Sequence, residues 1–580
     1  MIMEDKYEEV EETLDPLLKA LEDEAVSGKG NNFALKSGDL DREIVSVLNI
    51  ATSWYTQRIF GNFENGFGLE ERLWRIFGAV LHKYRSKVTK YQKSGDTVYM
   101  RSSFDRLDKV LKFGKRFYRE FIKRVVELQG TPEDLRPLMV LLKLEDVETQ
   151  LPSESVVSRI YESVSYSLCR LGDLSRYGST LTYNREKRDH SHARVYYRSS
   201  LTMNPSIGLP CNQLGNLAVA TRDYFYAFFW FLKAQSVEKP FSVDNVRKIA
   251  MKIFQMDLED LIKCPLGDFD DGTLATGVRR AIIKLLYSFV GLHIYDLFYR
   301  QNQGPVKQRN LTSVVATFKT VLSEQYANIP SSLLVDLSLI GPMLIQQTLA
   351  EDKNISQDEV FGLTAEMLRS MLEIGLLSFD GYRQSPEETV PTRLKPILPA
   401  MRIYFDWLVK LILHSDINYW EAYTSVFTIL FRFVELLRQE YGFAFDSLTA
   451  VKTLSGQRAL LALEEEKKTR GMVPWDGALN DTPSGMNAKE AIKQDTSKFQ
   501  CQCLLFTAIE LARLEQTPLR FDEPNQQFIF LDERSTDLSD ENVSETTITS
   551  YNDATMATTY IKDSFSDDGD DEVVFKGRKC

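Results

Sequence analysis

The sequence predicts an all-α protein, and three observations carry that expectation. Glycine and proline are few, 30 and 19 in 580 residues, and they gather at a handful of break points. Between the breaks, apolar residues recur every three or four positions, the period of a helix with one buried face. A pattern of small and aromatic residues also returns after 34 positions, the length of a tetratricopeptide helical hairpin.

In chain order, residues 1–40 form an acidic N-terminal segment. Met1 to Glu12 offers no basic stretch leading into an apolar one, so no secretory signal is expected. Breaks follow at Ser27–Asn32, Ser94–Thr97, Gly130–Arg136, Tyr183–Ser191, Gly304–Asn310 and Trp475–Ser484. Residues 41–250 are read as a tetratricopeptide-type helical array and 251–530 as a second α-helical domain. Within the array, Val110, Phe113, Phe117, Phe121 and Val125 step along one helical face. Lys109, Lys112, Arg116, Arg119 and Lys123 step along another. Such a basic stripe is either a solvated face or a row of contacts for nucleic-acid phosphates.

The repeat lies just beyond. Ala193, Tyr197 and Ser200, with Pro205, form one register; Ala227, Phe231 and Ala234, with Pro240, form the next, preceded by Leu214, Gly215 and Ala218. Small residues are needed where two helices approach and large ones fill the space between them. Tyr183–Ser191 is an insertion that lengthens the first hairpin. In the second domain, Leu398–Leu413 is strongly apolar on one side, and its Trp407 is expected in the core.

The tail, residues 531–580, is expected to be disordered. Asp532 to Glu572 holds 13 acidic residues against 2 basic ones, so it carries −11 of the net charge of −12. The remainder is near neutral, and the acidic balance does not argue against phosphate or nucleic acid as a partner.

The longest apolar run, Tyr224–Leu232, falls far short of the roughly 20 residues that cross a bilayer, so no membrane partner is expected. Six scattered cysteines suggest reduced, mostly buried thiols. Phosphate-binding, dinucleotide-binding, zincin and nucleophile-elbow motifs are absent, and no cofactor, metal or enzymatic activity is expected. His190 and His192 form a close pair, either a solvated loop or a site for a stray metal.

One constellation suggests recognition. Leu171-Gly172-Asp173-Leu174-Ser175-Arg176-Tyr177 packs through its leucines and glycine yet carries Arg176 beside Tyr177. A guanidinium with a nearby phenol can clamp a phosphate through charge-assisted hydrogen bonds. Alternatively, Arg176 satisfies a neighbouring carboxylate such as Asp173.

The run Cys169–Tyr177, the pair Tyr196-Tyr197, and Asn204-Pro205-Ser206-Ile207-Gly208 followed by Asn212-Gln213-Leu214 resemble the signature of the Est/SMG family. That family comprises telomerase-associated Est-one proteins and SMG factors of nonsense-mediated mRNA decay. Leu398-Pro399-Ala400 with Trp407, and Leu463–Glu466 with Arg470-Gly471 and Pro474, are similar to further family motifs. The resemblance implies a 14-3-3-like tetratricopeptide domain followed by an α-helical hairpin domain. It also implies a groove that binds a phosphorylated partner: Arg176 matches the family's phosphate-binding Arg, while Tyr177 and Asn212 match positions where 14-3-3-type grooves use a Tyr and an Asn. Ala79 stands where the family's Lys is expected, and Lys83, one turn on, is the substitute. The implied function is that of a decay adaptor binding a phosphorylated RNA helicase or other phosphoprotein, in nucleus and cytoplasm. The alternative is a telomerase subunit binding telomerase RNA or single-stranded DNA. A family paralogue is a further partner. Some members continue into a nuclease domain; the residues after Phe530 are too few and too poor in apolar side chains for one.

Overall fold

The computed structural model describes residues 37–132, 135–144, 151–180, 188–241, 244–267, 274–298, 311–325, 329–350, 357–382, 390–414, 420–441, 468–469, 472, 496–522, 524–525 and 527–531. Most of the expected acidic N-terminal segment, the acidic tail, much of the Tyr183–Ser191 insertion and most of the Leu463–Pro474 motif lie outside the described residues.

The first half is a run of helices: α1 (Ser37–Gly61), α2 (Phe67–Ser94), α3 (Thr97–Gln129), α4 (Arg136–Leu142), α5 (Glu154–Thr180), α6 (Ser191–Met203), α7 (Gly208–Ala220) and α8 (Tyr224–Gln235). Packing runs from α1 to α2 to α3, from α3 to α5, and on through α6 and α7 to α8. Two residues reverse the chain between the long helices α2 and α3. Gly95 takes the left-handed conformation at φ 73°, where a side chain would be strained, and closes α2; the Asp96 carboxylate then accepts from the Tyr99 amide and opens α3.

On α3 the buried spine is Leu107, Val110, Leu111, Gly114, Tyr118, Phe121, Ile122 and Val125. It is broader than the stripe read from the sequence, because α3 is covered by α2 on one side and α5 on another. Phe113 and Phe117 are half-buried at the edge and stack on Phe77 of α2 at 6.1 and 5.9 Å.

The repeat has a direct physical basis. Ala193, Tyr197 and Ser200 on α6, and Ala227, Phe231 and Ala234 on α8, are all buried. A Cβ on Gly172 of α5 would lie 2.4 Å from the Tyr197 ring, and one on Gly215 of α7 would lie 2.5 Å from the Phe231 ring. In each hairpin an aromatic ring on the second helix thus fills the place of a side chain on the first. Tyr197 and Phe231 stand 34 residues apart but Gly172 and Gly215 stand 43 apart, the excess of nine matching the length of the insertion between α5 and α6. The Asn204–Gly208 motif is structural as well: the Gly208 amide donates to the Lys239 carbonyl, and a Cβ there would strike the Ala234 carbonyl oxygen at 2.2 Å.

The second half comprises α9 (Asp244–Gln255), α10 (Leu258–Lys263), α11 (Thr276–Phe298), α12 (Leu311–Gln325), α13 (Ser331–Ala350), α14 (Gln357–Tyr382), α15 (Leu398–His414), α16 (Trp420–Tyr441) and α17 (Thr496–Arg513). One apolar core runs from α8 through α17 and takes in Trp407, buried as expected. Among the described residues the one sheet is a hairpin of β1 (Leu519–Asp522) and β2 (Gln527–Phe530), paired Leu519 to Phe530 and Asp522 to Gln527. Leu519 and Phe528 turn inward, β1 against α17 and β2 against α16, so this short alternating segment is a lid on the core. Its four-residue strands are too short for a pattern that periodicity alone would have separated from a loop.

The described part of the motif near residue 470 closes the junction between the halves. Met472 is buried and bridges Val237, while the buried ammonium of Lys233 on α8 donates to the Lys468 carbonyl. The Lys468 ammonium in turn reaches Asp336 of α13 at 2.7 Å. Burial lowers the Lys233 pKa. Four of the five described cysteines are buried, and no described helix is long and apolar enough to cross a membrane.

A cationic recess at the end of α5

Leu171, Asp173 and Leu174 are buried, which leaves Arg176 and Tyr177 half-buried where α5 nears its end. Asp173 pairs chiefly with Arg170, at 3.0 Å, and accepts from the Tyr197 hydroxyl at 2.8 Å. Arg176 stands farther off, 3.8 Å from the same carboxylate, and donates from Nε to the Tyr197 hydroxyl at 3.3 Å. Two guanidinium groups therefore share the one buried carboxylate of Asp173. The Arg176 side chain is 13% exposed, enough to meet a ligand at the surface.

Other helices bring further cations to the same place. The Arg85 guanidinium of α2 lies 4.5 Å from the centre of the Tyr177 ring and that of Arg176 lies 4.6 Å from it. The electron-rich ring offsets part of the repulsion between them. From α3, the Lys115 ammonium reaches α5: it would touch a Cβ on Gly178 at 3.4 Å. The close approach of Gly114 to Leu174 brings it there, one turn before Gly178 along α5. Burial, and then the charge of Arg119, lower the Lys115 pKa. The His190 imidazole, at the start of α6, has its pKa lowered from 6.5 by burial and by Arg176, Arg188 and Arg194, against a smaller opposing effect of Asp189. Of these groups, His190 has its protonation disfavoured in part by the Arg176 charge, an effect that an anion bound nearby would offset.

Of the residues expected at the site, Arg176 and Tyr177 are brought together in this recess. Lys83 is two positions from Arg85, about 200° around α2, so it faces elsewhere. Asn212 is buried on α7, where its side-chain oxygen accepts from Asn245 of α9 at 2.7 Å. The basic stripe of α3 is largely exposed but partly engaged: Lys112 pairs with Asp108 at 2.6 Å, Lys123 with Glu127 at 3.7 Å, and Arg119 donates to the Tyr196 hydroxyl at 3.0 Å. Arg116 lies 6.0 Å from the Phe113 ring, and Lys109 is exposed. Arg85, Lys115 and His190 were not legible as site residues, because their convergence depends on the phase and crossing of three helices. His190 belongs to this recess, and among the described residues no cluster of histidine, cysteine or carboxylate groups could hold a metal ion.

Packed helical hairpins with a cationic recess at the end of α5 make this an all-α helical array of the repeat kind. Residues 68–182 match the family described as telomerase activating protein Est1, and residues 193–479 match the family described as the Est1 DNA/RNA binding domain. The chain belongs to the Est/SMG family. The nonsense-mediated mRNA decay factor SMG7 of Danio rerio is 26% identical over 270 residues, which is 45% of this chain and 20% of that protein. The chain thus spans about a fifth of the length of that relative. The fold is similar to the crystal structure of Est1 and Cdc13, with a TM-score of 0.61 and 14% identity over 90% of this chain and 100% of that one. The structure of the C. elegans SMG5-SMG7 complex is less similar, with a TM-score of 0.45 and 12% identity over 84% of this chain and 98% of that one.

Proposed function

We propose that the chain is a non-enzymatic adaptor of nonsense-mediated mRNA decay whose recess at Arg176 receives a phosphorylated segment of a partner, an RNA helicase being the first candidate. One observation carries this reading: three cations from three helices converge at the end of α5, with the Arg176 and Arg85 guanidinium groups both against the Tyr177 ring and the Lys115 ammonium beside Gly178. A phosphoryl group of charge about −1.5 to −2 with three acceptor oxygens suits such a convergence of cations. The test is binding of a phosphoserine peptide and its unphosphorylated twin to the wild-type chain and to Arg176→Glu. Selective binding by the wild type, lost in a folded variant, supports the reading; equal binding of both peptides removes it.

The match of residues 193–479 to a domain described as DNA/RNA binding supports a second reading, a telomerase-associated role with telomerase RNA or single-stranded DNA as ligand. Affinity capture from cells separates the two. Recovery of a phosphorylated helicase that phosphatase abolishes favours decay, and recovery of telomerase RNA favours telomeres.

A further inference from the structure

Among the described residues, α1 packs chiefly on α2 and meets α3 over a short stretch, which leaves a groove between α1 and α3. The groove holds about 310 Å³. Thr56 and Gln57 of α1 and Phe117 and Phe121 of α3 line it, with the exposed Glu120 and Arg124 at its mouth. Leu128, 56% exposed, lies three turns beyond Phe117 and only about 20° around α3 from it, so it continues the same apolar face. Thr52 donates to the Leu48 and Asn49 carbonyls, but the Thr56 hydroxyl, one turn on, is buried with no hydrogen-bond partner among the described residues. A buried polar group in that state calls for a facing residue to satisfy it. Lys115, two residues before Phe117, is turned about 160° away, so the groove and the cationic recess lie on opposite sides of α3.

The chain carries a segment suited to that face just ahead of α1. In residues 16–26, Leu17, Leu18, Leu21 and Ala25 fall within about 100° of one another on a helix, and Asp15 followed by Pro16 is a signal for a helix start. A helix of this length does not hold in water by itself, where even about 12–15 residues are marginal, so its apolar face needs a surface. Residues 27–36 join it to α1 and reach about 35 Å when extended. Thr56 and Gln57 lie about 30 Å along α1 from Ser37, within that reach. Charge agrees with the match. Residues 8–24 hold eight carboxylates and one lysine, and the largely exposed row Lys109, Arg116 and Lys123 runs beside the groove, about 80–120° around α3 from Phe117. We propose that residues 16–26 dock in the α1–α3 groove as an acidic amphipathic helix, with Leu17 and Leu21 on Phe117, Phe121 and Leu128 and the carboxylates toward the basic row. While the segment is docked, this apolar face is closed to any other partner.

The experiment places the photo-crosslinking residue benzoylphenylalanine at Gln57, an exposed position at the groove, in the full chain. Irradiation joins position 57 to residues 16–26, as read by mass spectrometry of the digest, with a yield that holds over about a hundredfold dilution because the contact is intramolecular. Leu17→Asp with Leu21→Asp lowers that yield roughly tenfold or more, the scale of two lost apolar contacts, while Leu17→Met with Leu21→Met keeps it. In the chain without the crosslinker, the same Asp pair speeds amide hydrogen exchange in α1 and α3 around the groove and leaves exchange in α15 unchanged, which shows that the rest of the fold is intact. The proposal is overturned if no crosslink reaches residues 16–26, if the Asp pair leaves the crosslink in place, or if exchange around the groove does not change. A yield that falls on dilution overturns it as well, because the groove then joins two copies of the chain and does not close on its own segment.

Discussion

Arg170 and Asp173 form an ion pair 3.0 Å long with side chains only 4% and 1% exposed, and Arg176 meets the same carboxylate only at 3.8 Å. Asp173 lies three residues from each arginine. The symmetry is broken by packing: the Arg170 guanidinium rests on the rings of Trp74 and Tyr166, 4.6 and 4.3 Å from their centres, and is carried inward with them. Asp173→Asn leaves that buried guanidinium without a counter-charge and should cost about 3–5 kcal/mol of stability. Arg176→Ala loses the hydrogen bond to Tyr197 and a longer contact with Asp173, which keeps Arg170, and should cost less, about 1 kcal/mol. Urea unfolding of the two variants checks the order, and equal losses would show that Arg176 is the partner Asp173 needs.

Arg85 and Lys83 make a paired test of the recess. Arg85→Ala should weaken phosphopeptide binding by about 1.5–3 kcal/mol, the usual size of a hydrogen bond to a charged group, whereas Lys83→Ala should change it little. Tyr177→Phe keeps the ring beneath both guanidinium groups and should retain most of the affinity. Isothermal titration gives the numbers; a larger loss at Lys83 than at Arg85 would move the second phosphate contact to the other face of α2.

His190 reports on the same recess by its titration. Its imidazolium is disfavoured first by burial and then by Arg176, so removing that charge in Arg176→Ala should raise its pKa toward 6.5. A bound phosphoryl group adds negative charge, favours the imidazolium and should also raise it. The imidazole resonances, followed by NMR from pH 5 to 8 with and without peptide, as roughly the range in which histidine titrates, provide the measurement. A pKa that stays put at saturating phosphopeptide would place the phosphate elsewhere.

The interlocked hairpins predict intolerance of a single methyl group. Gly172→Ala and Gly215→Ala each put a Cβ against a ring that is buried and has no room to turn, so each should destabilise by about 1–3 kcal/mol. Thermal melting tests this, and an unchanged midpoint in both would mean that the helices part more readily than their packing suggests.

Much of the architecture could be read without coordinates, because helical periodicity and the 34-residue interval between Tyr197 and Phe231 are properties of the chain itself. Arg176 and Tyr177 could be singled out as adjacent residues at the end of a packed helix. Arg85 could not be separated from Lys83, since a displacement of two residues turns a side chain to the far side of α2 and only tertiary contacts fix its phase. The sequence spacing was equally silent on Arg170 and Arg176 as rivals for Asp173. Lys115 escaped because it sits between the basic and apolar stripes of α3, at the edge where α5 crosses.

The ammonium of Lys233 finds its acceptor at the Lys468 carbonyl, 235 residues further along the chain. Synthesis proceeds at roughly 5–20 residues per second, so about 12 to 47 s pass between the two leaving the ribosome's catalytic centre. During that interval α8 cannot bury its lysine in the finished manner, and its aromatic face must wait for helices not yet made. The first half of the protein therefore emerges with its last helix incomplete. A chain that stops before Lys468 leaves it so for good.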